Sequence, residues 1–128
     1  MEDSKKMIVV AYCRVATKNQ LALDKQTERM MQFVATHPEW ELVKIYSDSS
    51  EATQLSRREG LTNSIRDAKQ GQFDFVIVPK PSRLARSLLE CYQILTTLNE
   101  VGVGVKFIDG TKADEFRHML GGLLALGE

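Results

Sequence analysis

The sequence predicts an α/β fold with a mainly parallel, four- to five-stranded sheet and helices on both faces. Short apolar runs alternate four times with amphipathic segments along the 128 residues, and this alternation is typical of parallel sheets. The first run, 7–12, is nearly continuous and rich in β-branched residues, as expected for a strand buried on both faces. No repeat or linker interrupts the pattern, so we predict a single domain spanning residues 1–128.

The elements follow from the apolar spacing. Runs of strand character predict four strands, at 7–12, 40–46, 73–78 and 103–108. Apolar residues at helical spacing predict four helices, at 23–34, 61–71, 84–102 and 116–126. Pro38 ends the first helix, because the residue before a proline disfavours the α conformation, and Pro79 ends the third strand. The pair Gly121–Gly122 weakens the last helix by about 1 kcal/mol per glycine.

Composition narrows the function classes. Lys and Arg together number 17, as do Asp and Glu, so the net charge is zero and any surface that binds nucleic acid must be a local cluster. No apolar run approaches the length of a membrane span. Two cysteines and two histidines suggest neither a disulfide framework nor a metal site. We therefore expect no cofactor, and we expect Cys13 and Cys91 to be buried in a protein of the reducing cytoplasm.

Charged side chains follow the predicted strand ends: Arg14, Asp48, Lys80, Arg83 and Arg86. The carboxyl ends of parallel strands meet at the edge of the sheet where ligands bind. Arg57 and Arg58, in the loop after the second strand, could reach the same edge. The sequence therefore predicts a cluster of cations at one end of the molecule.

Guanidinium groups that converge are suited to a phosphate or phosphodiester, because each offers a planar pair of donors. Arg83 and Arg86 are three residues apart in the predicted first turn of the third helix, so they would share a face; alternatively, both are solvated surface residues. Arg14 ends a buried strand and needs a partner or a ligand. Asp48 could be that partner.

Several motifs then carry a resemblance to serine site-specific recombinases, the resolvase/invertase family. The segment Tyr12–Thr17 resembles the family signature Tyr-x-Arg-Val-Ser-Thr, and Gln26 fits the glutamine on the helix that follows. In the same order, Tyr46–Asp48, Arg58–Leu61 and Lys80–Arg86 resemble its strand-end aspartate, its Arg-x-x-Leu and its Lys-x-Asp-Arg-Leu-x-Arg. The resemblance covers residues 6–126 and is greatest to the catalytic domains of the large serine recombinases of mobile elements.

The resemblance implies an activity and roles. The family cuts double-stranded DNA by attack of a serine hydroxyl on the scissile phosphate, and dimers and tetramers exchange and rejoin the strands. By resemblance, the scissile phosphate would be bound by Arg14, Arg83 and Arg86. Arg58 would assist, Gln26 and Lys80 would support the site, and Asp48 would orient an arginine.

Two positions depart from the family pattern. Ala16 stands where the family has its serine nucleophile, so the chain as written is expected to be inactive. Thr17 is not expected to replace it, because neighbouring side chains in an extended chain point to opposite faces. Ser82 stands where the family often has aspartate, although serine also occurs there in the large recombinases.

Three hypotheses remain at this point. The chain is a recombinase catalytic domain that has lost its nucleophile by substitution or natural loss, a naturally degenerate relative that binds DNA phosphate or regulates, or an unrelated flavodoxin-like domain that senses phosphate. The resemblance also implies that the last helix is truncated at Glu128 and would continue into an arm and a DNA-binding domain absent from these 128 residues. The apolar stripe of that helix would pack on a partner copy or fold back onto its own sheet.

Overall fold

The computed structural model describes residues 6–15, 20–49 and 58–126. These residues form four strands and four α-helices: β1 (Met7–Val15), α1 (Gln20–Ala35), β2 (Trp40–Ser49), α2 (Glu59–Lys69), β3 (Phe75–Val78), α3 (Leu88–Glu100), β4 (Gly104–Phe107) and α4 (Ala113–Leu126), with a 3-10 turn at Pro81–Arg83 between β3 and α3. The sheet order is β2-β1-β3-β4, and every pair is parallel. The predicted fold class is confirmed, with four strands in the described part of the chain.

The position of β1 determines where a ligand can approach. β1 pairs with β2 on one side and with β3 on the other, so the chain order reverses beside it. A crevice outside the carboxyl ends of the strands is expected at such a reversal. The register sets Arg14 opposite Asp48 across the β1–β2 pair, which brings two of the predicted site residues to that end.

The helices are divided unequally between the two faces. Residues Val10 and Tyr12 of β1 face the larger core, which contains buried residues of α2, α3 and α4. The alternate residues Ala11 and Cys13 face α1, where they pack against Met30. One face thus carries three helices and the other carries α1 alone.

Both cysteines are buried, as predicted, with Cys13 at 0% and Cys91 at 3% exposure. Among the described helices, none combines the length and the apolar character needed to cross a membrane.

The predicted start of the third helix is wrong. α3 begins at Leu88, and the preceding Pro81–Arg83 is a 3-10 turn. Ser87 is extended and its side chain accepts a hydrogen bond from the backbone N–H of Glu90 at 3.0 Å, which is the geometry of a helix N-cap. Arg83 and Arg86 therefore precede the helix and do not share its first turn.

The apolar stripe of α4 divides between two environments. Leu120 is fully buried in the larger core and Phe116 packs against it, so this half folds onto its own sheet. Leu123 and Leu126, by contrast, are 50% and 84% exposed. α4 begins at Ala113, earlier than predicted, with Asp114 and Glu115 in its first turn, where acidic side chains favour the helix dipole.

Candidate functional site

The site is built around Arg14, near the carboxyl end of β1. Arg14 is buried, with 3% of its surface exposed. Its backbone carbonyl accepts long hydrogen bonds from Gln26 Nε2 at 3.5 Å and from Arg83 at 3.4 Å. Since Gln26 lies on α1 and Arg83 in the 3-10 turn after β3, two elements from different parts of the chain meet on this strand end.

The surroundings of the Arg14 guanidinium are both dry and positive. Burial lowers the pKa of Arg14, and the charges of Arg58 and Arg86 lower it further, while Tyr12 and Glu90 act in the opposite direction. The structure therefore brings Arg58 and Arg86 within electrostatic reach of Arg14. An anion bound at this point would relieve the repulsion between these cations.

Arg58 is more deeply buried than the sequence suggested, at 1% exposure. It donates hydrogen bonds to the hydroxyl of Tyr12 at 2.7 Å and to the carbonyl of Leu84, and it forms an ion pair with Glu90 at 3.5 Å. Leu84 lies between the two arginines of the Lys80–Arg86 segment. Arg58 therefore fixes the turn that presents these arginines.

Asp48 is linked to Arg58 through Tyr12. The Tyr12 hydroxyl donates to Asp48 Oδ2 at 2.8 Å while accepting from Arg58, and burial raises the pKa of Tyr12. Asp48 also accepts the backbone N–H groups of Gly60 and Leu61 at 2.8 and 2.9 Å. These N–H groups belong to the first turn of α2, which has no acceptor within the helix, so one carboxylate joins β1, β2 and α2.

Gly60 allows α2 to approach this strand end. A Cβ atom at this position would lie 2.4 Å from the carbonyl oxygen of Ser47 and 3.1 Å from Asp48 Oδ1. Only glycine avoids this clash, which gives a physical reason for glycine in the Arg58–Leu61 segment.

Three of the predicted site residues line one groove at the reversal beside β1. The groove has a volume of about 220 Å³ and is lined by Gln26, Arg29, Pro79, Lys80, Arg83, Ile108 and Asp109. Arg14 and Arg58 are buried, and Arg86 is exposed in the bend before α3. The arrangement is suited to an extended anion that lies along the groove.

Three positions that the sequence analysis singled out fall outside the described residues: Ala16, Thr17 and Arg57. Val15, the last described residue of β1, immediately precedes position 16 in the chain. Ser82 is exposed in the 3-10 turn.

Sequence reasoning missed Glu90 and Arg29. The spacing Ser87-x-x-Glu90 is a capping-box pattern and could have located both the start of α3 and its acidic first turn. Arg29 lies three residues after Gln26 on α1, a spacing that places two side chains on one helix face.

The fold and these residues define a class: a doubly wound α/β domain with several arginines gathered at the strand ends. Residues 9–126 match the family described as Resolvase, N terminal domain, and the chain belongs to that family. The predicted kinship with serine recombinases is confirmed, and the hypothesis of an unrelated flavodoxin-like domain is wrong.

Solved structures and one sequence relative agree with this assignment. The N-terminal catalytic domain of TP901-1 integrase superposes with a TM-score of 0.81 at 21% identity, covering 94% of this chain and 96% of that one. A resolvase family site-specific recombinase from Streptococcus pneumoniae gives 0.74 at 28% identity, covering 95% and 86%. Protein L103 of Acanthamoeba polyphaga mimivirus, which is named as a resolvase, is 34% identical to this chain over 85 residues. These residues are 66% of this chain and 41% of that protein. The chain thus aligns with about two fifths of the length of that relative.

Proposed function

We propose that this chain is the catalytic domain of a site-specific DNA recombinase that binds a backbone phosphate of double-stranded DNA but cannot form the covalent intermediate. The observation that carries the proposal is the convergence of Gln26 and Arg83 on the carbonyl of Arg14, two residues before position 16. Membership of the resolvase family supports DNA as the partner.

The chemistry assigns separate tasks to the residues. In the family reaction a serine oxygen forms a bond to phosphorus, the bond from phosphorus to the 3′ oxygen breaks, and that oxygen leaves with a proton. Arg14, Arg83 and Arg86 would stabilise the charge that develops on the non-bridging oxygens. Ala16 offers only a methyl group, so no oxygen–phosphorus bond can form there.

Within this proposal, Arg58 and Asp48 are positioning residues. Arg58 is almost fully buried and is occupied by Tyr12, Leu84 and Glu90. It acts on the phosphate through the turn that carries Arg83 and Arg86.

Self-association is also part of the proposal. The exposed Leu123 and Leu126 of α4 offer apolar surface for a helix of a second copy, in agreement with the dimers and tetramers that the family resemblance implies. We expect this association to be weak in the 128-residue chain.

A covalent-trapping assay tests the function. The chain and its Ala16→Ser variant are incubated with a pool of nicked DNA duplexes of randomised sequence, and protein–DNA adducts are separated on denaturing gels and sequenced. We expect adducts with Ala16→Ser, fewer with Ala16→Ser combined with Arg83→Gln, and none with the unsubstituted chain. An adduct formed by the unsubstituted chain would mean that the nucleophile is elsewhere, and Thr17→Ala and Ser82→Ala would then locate it.

The second candidate, a naturally degenerate binding or regulatory relative, is favoured by Ala16 itself. Binding of the same pool with loss on Arg83→Gln, but without adducts from Ala16→Ser, would support this candidate over the first.

A further inference from the structure

The groove beside β1 contains a cation that no recombinase motif in this sequence includes. Arg29 lines it together with Gln26, Lys80 and Arg83. Arg83 contacts the carbonyl of Arg14, so one part of the groove adjoins the proposed scissile-phosphate site. Arg29 extends its basic lining to a further position on α1.

The charges of the groove are unbalanced. Three cationic side chains, Arg29, Lys80 and Arg83, line the groove with one carboxylate, Asp109. Asp109 also caps its own turn, since Oδ1 accepts the backbone N–H of Thr111 at 2.9 Å. Within the described ranges, neither Arg29 nor Lys80 is in an ion pair. A groove in which cations outnumber carboxylates three to one favours a bound anion.

The size of the groove indicates what kind of anion fits. Its volume of about 220 Å³ is below the roughly 300–1,000 Å³ of enclosed sites for small molecules. It holds about seven waters at roughly 30 Å³ each, which is enough for a phosphodiester group with part of its sugar. Because a DNA strand carries a charge at every nucleotide, a strand held at Arg83 presents a second phosphate nearby.

We propose that Arg29, with Lys80, binds the DNA phosphate adjacent to the scissile one. This inference rests on the proposed function, because the first phosphate fixes where the second one lies. Arg29 would hold the strand in register across the groove, without taking part in the bond changes at phosphorus.

The test is a salt titration of DNA binding. A fluorescein-labelled 20-base-pair duplex is titrated with the 128-residue chain between about 10 and 150 mM salt, and affinity is read by fluorescence anisotropy. The variants are Arg29→Gln, Arg29→Lys, Arg83→Gln and the control Lys25→Gln. Lys25 is exposed on α1 one residue before Gln26 and does not line the groove. Lys25→Gln changes the net charge by the same amount as Arg29→Gln, so it is the matched control.

We expect Arg29→Gln to weaken binding about 3- to 10-fold at low salt and to reduce the slope of log affinity against log salt by about one. Arg29→Lys should keep the slope, and Lys25→Gln should match the unsubstituted chain. Arg29 and Lys25 are both exposed, and thermal melting verifies that the variants remain folded.

The outcomes separate this inference from the proposed function. Equal effects of Arg29→Gln and Lys25→Gln, with binding still weakened by Arg83→Gln, would overturn the Arg29 site alone. The proposed function fails if the unsubstituted chain does not bind the duplex, or if Arg83→Gln binds it with the same affinity as the unsubstituted chain. In either case the Arg29 site fails with it.

Discussion

Arg58 is a buried cation whose partners come from several parts of the fold. A buried cation is costly unless it is paired and hydrogen-bonded, and this one has Glu90, the Tyr12 hydroxyl and the Leu84 carbonyl. Each partner lies on a different element of the chain. The charge is therefore tolerated only when β1, α3 and the turn after β3 are all in place.

Replacing Arg58 should cost much more stability than replacing a groove arginine. Arg58→Met removes the donors from a buried carbonyl and the cation from Glu90, so we expect the free energy of unfolding to fall by about 3 kcal/mol. Arg83→Gln, at a half-buried position, should cost less than about 1 kcal/mol. Urea unfolding followed by circular dichroism measures both, and equal losses would contradict the positioning role.

The sequence could predict which residues gather at the site better than what each one does. Arg14 and Lys80 follow from the strand ends alone, since parallel strands share a carboxyl edge. Arg58 lies just before a helix, where a side chain can point outward or inward, and no periodic pattern distinguishes the two. Its inward direction depends on contacts with Tyr12 and Leu84 that are distant in sequence.

At the scale of elements, the junction of β2 and α2 depends on close backbone approach. We expect Gly60→Ala to lower the free energy of unfolding by about 2–3 kcal/mol, because its Cβ would meet the Ser47 carbonyl at 2.4 Å and force strain into a packed contact. Gly122→Ala is the matched control: the added methyl group meets nothing within 4 Å and should stabilise α4 by about 0.5–1 kcal/mol. Thermal and urea unfolding would refute this account if both substitutions acted in the same direction.

The elements themselves were predictable to different degrees. β1 follows from its nearly continuous apolar run, and α1 follows from apolar residues at helical spacing. The apolar spacing starts α3 too early because Leu84 is buried and fits the helical period. In the structure, the 3-10 turn at Pro81–Arg83 and four non-helical residues precede Leu88. Periodicity records burial and not backbone conformation, so it cannot separate a buried turn from the helix that follows. In α4 the apolar spacing likewise cannot show that Leu120 is buried in the larger core while Leu123 and Leu126 are exposed.

At the scale of the whole molecule, burial of the thiols makes stability depend on pH. Burial raises the pKa of Cys91 to about 11, whereas an unfolded cysteine ionises near 8.5. Above pH 8.5 the unfolded chain binds fewer protons than the native chain. The contribution of the Cys91 thiol to the free energy of unfolding is therefore complete below about pH 8.5 and is lost as the pH rises towards 11.

Replacing Cys91 by alanine should reduce this pH dependence. Between pH 7 and pH 10 we expect the unsubstituted chain to lose about 2 kcal/mol more than Cys91→Ala, whatever the difference between them at pH 7. Urea unfolding at the two pH values measures the change. An identical loss in both chains would mean that the Cys91 thiol ionises equally well in the folded protein.

The central position of β1 also has a consequence for how the chain folds. β1 pairs with β3, and the Ile8 N–H donates to Asp74, the residue just before β3, across 66 residues of sequence. Closing a loop of that length costs entropy before any sheet contact compensates for it. During synthesis β1 therefore remains unpaired on its β3 side until Phe75–Val78 has left the ribosome. The proposed phosphate site, which needs Arg14 and the turn after β3 together, can form only at that late stage.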